Sequence, residues 1–131
     1  MKVKELVSGL KGLTGCYPVV LMKGEKTLGL SRDFQNDGSD WAQLNLVVRK
    51  PMELDTEFLK VILDYCARAE HHSLFSDETQ FEEFEVFASK QEVGGAFSTI
   101  NILECGIEKV NNQEVFALHV EELFETDEVS N

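Results

Sequence analysis

The stretch Leu54-Asp55-Thr56-Glu57-Phe58-Leu59-Lys60-Val61-Ile62-Leu63-Asp64-Tyr65-Cys66-Ala67-Arg68-Ala69 decides how the rest of the chain is read. Phe58, Leu59, Ile62, Leu63, Cys66 and Ala69 recur at the spacing of one helix face and make a continuous apolar stripe. Asp55 is a favourable N-cap, because its carboxylate accepts amide hydrogens that a first helical turn leaves unpaired. Leu54 before the cap and Leu59 beyond it hold the positions of a hydrophobic staple. The spacing therefore predicts a capped amphipathic helix that ends near residues 70–73.

Upstream, Val3, Leu6, Val7, Leu10 and Leu13 share a second helical face. Gly9 weakens that helix, and Gly12 or Gly15 is expected to end it. Residues 17–22 form a short apolar run that reads as a strand. Lys23-Gly24-Glu25-Lys26 is its turn, and residues 27–31 return as the other arm of a hairpin. Residues 33–40, with Asn36-Asp37-Gly38-Ser39 at their centre, read as a polar loop. Residues 41–49 alternate with Leu44, Leu46 and Val48 on one face, a third strand, and Pro51 closes it.

Downstream, residues 75–89 admit two readings. Ser76 can cap a helix with Asp77 and Glu78 in its first turn, where the helix dipole favours acids, and Phe81, Phe84 and Phe87 then share a face. Alternatively, Phe84, Val86 and Ala88 alternate as in a strand. Residues 96–105 are rich in β-branched side chains. Residues 107–110 and 114–120 flank Asn111-Asn112-Gln113, a hairpin signal.

The outline is a helix, three strands, a helix, an uncertain element, then two or three strands. Short connections favour antiparallel pairing. The expected fold is α+β: a largely antiparallel sheet of about five to six strands with two to three helices packed on one face. One domain is expected over residues 1–124, with an acidic tail at 125–131. The two halves are loosely alike in outline, but no residue-level repeat is present and none is expected.

The 131 residues are 43% hydrophobic and 27% charged, which suits one globular domain whose core holds without metals or disulfides. Cys16, Cys66 and Cys105 are odd in number and far apart, so neither a disulfide framework nor a Cys-x-x-Cys metal site is expected. Each lies in an apolar stretch and reads as a buried thiol. No signal peptide or membrane helix is evident, and a reducing cytoplasm is the expected compartment. Residues 1–50 carry eight Lys/Arg against five Asp/Glu, a net +3. Residues 51–131 carry four against nineteen, a net −15. Such a surface repels nucleic acid and anionic membranes and attracts a basic partner.

Signals for chemistry are sparse. Gly9, Gly12 and Gly15 lack the Lys-Ser/Thr and the preceding strand of a phosphate loop. His71-His72 are adjacent and face different ways on a helix, and residues 33–40 lack the closing Glu of a calcium loop. No metal or cofactor is expected. Cys66 and His71 form the one Cys–His arrangement worth naming. The acids on the second helix and just after it, Asp64, Glu78, Glu82, Glu83 and Glu85, are the candidate partner-binding face, joined by Asp37 and Trp41 from the polar loop.

The opening Met1-Lys2-Val3-Lys4-Glu5-Leu6 with Leu10, Lys11 and Leu13, followed by the strand at 17–22, resembles the start of short bacterial and phage proteins. The chain's size, acidity and α+β outline resemble immunity proteins of bacterial toxin systems, which bind and block a toxin. Neither resemblance carries over a functional residue. The expected function is a non-enzymatic binding protein, of inhibitor or immunity type, whose acidic surface docks a basic protein. The alternatives are a DNA mimic or phage accessory protein, an enzyme built around Cys66 and His71, or a homo-oligomer joined through a strand edge.

Overall fold

Six strands hydrogen-bond into a closed barrel in chain order, with the sixth returning to the first. The computed structural model describes residues 1–37, 43–48, 52–69, 81–91 and 97–124. The elements are α1 (Val3–Leu10), β1 (Val19–Lys23), β2 (Lys26–Asp37), β3 (Gln43–Val48), α2 (Thr56–Ala69), a 3₁₀ turn (Phe81–Glu83), β4 (Glu85–Gln91), β5 (Phe97–Val110) and β6 (Gln113–Val120).

Local chemistry sets these limits. The Phe58 amide donates to Asp55 Oδ1 at 2.8 Å, so Asp55 caps α2. Leu54 and Leu59 are both buried. The Lys2 amide donates to Glu5 Oε1 at 2.7 Å at the start of α1, and Gly12, at φ +84°, turns the chain away after its end. Asn111 and Asn112, at φ 51° and 65°, both hold the left-handed conformation that a two-residue turn between β5 and β6 requires.

The α+β class holds, but the sheet is mixed rather than largely antiparallel. β3 pairs parallel with β4, and β1 parallel with β6. The other four pairings are antiparallel. The connection from β3 to β4 contains α2 and is long enough for a parallel return, so the expectation from short connections failed there. β3 and β6 each carry a run of four buried residues, Leu44 to Val47 and Val115 to Leu118, so both faces of these strands are covered there.

Two α-helices are present among the described residues, where two to three were expected. The helix considered from Ser76 falls largely outside the described residues. Its end, Phe81–Glu83, is a single 3₁₀ turn, and from Glu85 the chain is a strand with Val86 and Ala88 buried. The polar stretch read as a loop is strand as far as Asp37, where Phe34 pairs with Leu46 and Asn36 with Leu44. Its Asp33 and Gln35 face solvent, and residues 38–40 lie outside the described residues.

The order α1-β1-β2-β3 repeats as α2-β4-β5-β6, and the hydrogen bonds repeat with it. The Val3 amide donates to the Phe84 carbonyl and the Val86 amide to the Met1 carbonyl, both at 2.9 Å. In the other half, the Thr56 amide donates to the Tyr17 carbonyl at 2.8 Å and the Val19 amide to the Leu54 carbonyl at 2.9 Å. Each helix is thus pinned at its start to the first strand of the opposite half. Both middle strands shift register at the same place, after Leu30 opposite Val48 and after Ile102 opposite Val120. At the two parallel seams, Leu44 and Leu46 lie beside Val86 and Ala88, while Phe116 and Leu118 lie beside Val19 and Leu21. All eight are fully buried in one core with Leu6, Leu59 and Ile62.

Candidate functional site

The two helices leave a groove between them. Val3, Leu10, Leu63 and Phe81 form its buried floor, with Val7 and Ala67 on its walls. Lys11, Lys60, Asp64 and Glu82 stand at its rim, and its volume is about 440 Å³. This lies in the range of ligand-accepting clefts. Counted from each helix's first residue, Val7 and Lys60 are both fifth, and Leu10 and Leu63 both eighth. Lys11 and Asp64 follow as ninth, so equivalent positions of the two halves face the groove with opposite charge.

The 3₁₀ turn fixes the end of the groove nearest the start of α1. Glu83 accepts from Lys2 Nζ at 2.7 Å and from Lys4 Nζ at 2.9 Å. These two ammonium groups hold the Glu83 carboxyl down at about 2, well below the usual carboxylate range. The Phe84 carbonyl takes the Val3 amide one residue further on. Glu82, next to this clamp, is exposed at the groove.

Of the seven residues read from the sequence as a partner-binding face, the structure brings Asp64 and Glu82 together at the rim. Asp64 pairs with Arg68 at 3.0 Å, an exposed i,i+4 contact of little energetic weight. Glu83 is neutralised by Lys2 and Lys4. Glu85 lies 3.7 Å from the N-terminal ammonium, and its register places it in one row with Gln43 and Asp37, on β4, β3 and β2. Trp41 and Glu78 lie outside the described residues. The groove's floor was missed because Val3, Leu10, Leu63 and Phe81 read as ordinary core, and no local pattern says that two helix faces meet side by side.

Cys16 is exposed, against the expectation that all three thiols are buried, and Cys105 is half-buried. Cys66 is fully buried, and burial pushes its thiol up to about 12. It stays protonated at neutral pH, which makes it a poor nucleophile; His71 lies outside the described residues. Among the described residues no group of three or more His, Cys, Asp or Glu is placed to hold a metal, and no helix is long and apolar enough to cross a membrane. Comparison of the chain with protein-family models, curated proteins and solved structures returns no match.

Proposed function

We propose that the protein is a non-enzymatic binding module that docks an apolar segment of a net-basic protein partner in the groove between α1 and α2, as an inhibitor or immunity-type protein does. The groove carries this reading: among the described residues its floor is apolar and its charged groups stand at the rim, around a volume of about 440 Å³. The net charge of −12 supplies the attraction at longer range and accounts for the choice of a basic partner.

The test is capture from lysate of the native host at about 50 and 500 mM salt, with bound proteins identified by mass spectrometry. Ala67→Trp fills the groove mouth, and Val61→Ser alters an exposed residue of α2 that does not line it. A basic protein bound by wild type and Val61→Ser, weakened by high salt and lost with Ala67→Trp, is the expected result. The same protein retained by Ala67→Trp, or bound without regard to salt, contradicts the proposal.

A further inference from the structure

The groove has charged ends, and they differ. Glu82 sits where α1 begins, beside the clamp of Glu83 on Lys2 and Lys4. Lys11 sits where α1 ends. Neither makes an ion pair among the described residues. The other two rim charges have intrahelical partners, Lys60 with Glu57 at 3.8 Å and Asp64 with Arg68 at 3.0 Å. An α-helix of eight residues spans about 12 Å. Lys11 and Glu82 therefore bracket about two helical turns of apolar floor.

We infer that the occupant of the groove is a two-turn amphipathic helix with an acidic residue at one end, facing Lys11, and a basic residue seven positions away, facing Glu82. Seven positions bring a helix back to nearly the same face after about 10.5 Å, close to the length of α1, which lies between Lys11 and Glu82. The apolar residues between them, at helical spacing, cover Leu10 and Leu63. This inference rests on the groove being the docking site, and it separates two scales. The molecule's field selects a partner that is basic overall, while the segment that enters the groove carries one charge of each sign. Lys11 and Glu82 are then specificity-determining residues.

Four labelled helical peptides test this. They share one leucine stripe and differ only in the residues at two flanking sites seven apart: Glu/Lys, Lys/Glu, Lys/Lys or Glu/Glu. Binding is read by fluorescence anisotropy against wild type, Lys11→Glu, Glu82→Lys and Ala67→Trp, each checked for its fold by circular dichroism. Wild type should prefer one mixed-charge peptide over both like-charge peptides, by about two- to five-fold per charge. Lys11→Glu should move the preference to Lys/Lys, and Glu82→Lys to Glu/Glu. Binding blocked by Ala67→Trp but tightest for Lys/Lys in wild type overturns the inference and leaves the groove standing. Binding of no peptide, or binding that ignores Ala67→Trp, overturns both.

Discussion

Gly9 shows how closely α1 lies on the barrel. A Cβ added there would come within 2.7 Å of Cys105 Sγ on β5. Sequence alone marks Gly9 only as a weak point in a helix, because the strand that presses on it is almost a hundred residues away. Gly9→Ala should destabilise the protein by about 1 kcal/mol or more, despite alanine's better helix propensity. In a Cys105→Ala background, where the sulfur is gone, the same change should stabilise by up to about 1 kcal/mol. Urea unfolding of the four proteins in this cycle reads the coupling directly. Cys66 gives a second residue-scale expectation. Its folded thiol stays protonated up to about 12, against an ordinary value of 9.0, so the unfolded chain loses this proton first. The stability that this group contributes is full below about 9 and falls as pH rises towards 12. Cys66→Ala should lose that part of the alkaline slope in a series of thermal melts, whatever it costs at neutral pH.

At the scale of elements, α2 was the most legible part of the chain. Its cap, staple and stripe are all local, and local signals survive in sequence. Asp55→Ala should cost about 1 kcal/mol and Asp55→Asn much less, measured by chemical denaturation, because asparagine keeps an oxygen for the Phe58 amide. The β5–β6 turn was equally plain from its asparagines. What sequence did not show was pairing. Whether β3 meets β4 parallel or antiparallel depends on where α2 carries the chain, which no window of residues records. The groove shares this property. Asp64 and Glu82 were readable as exposed acids on successive elements, whereas Leu10 and Leu63 line one floor only because each helix is pinned by backbone hydrogen bonds to the opposite half.

For the whole molecule, the repeated α-β-β-β unit is the main gain over the sequence. Sequence shows no more than a loose likeness of outline, because the halves share backbone bonding and burial rather than residues: Val3 stands where Thr56 does, and Met1 where Leu54 does. All four are held by the same pattern of contacts, which needs only an apolar or buried side chain. The halves also differ in charge, with +3 in residues 1–50 and −15 in residues 51–131. The boundary in charge is thus a boundary between two equivalent structural units, and the groove lies where the units meet, with Lys11 on one wall and Asp64 at the matching place on the other. Within the acidic face expected from sequence, Glu83 holds Lys2 and Lys4. Barrel closure gives every strand a neighbour on each side. The most direct measurement is a methyl chemical-shift map of the protein titrated with a mixed-charge amphipathic peptide. Shifts centred on Val3, Val7, Leu10 and Leu63 and absent in Ala67→Trp are the predicted result. Shifts centred instead on barrel residues remote from the helices, such as Val20, Met22 or Leu103, would contradict the groove as the docking site.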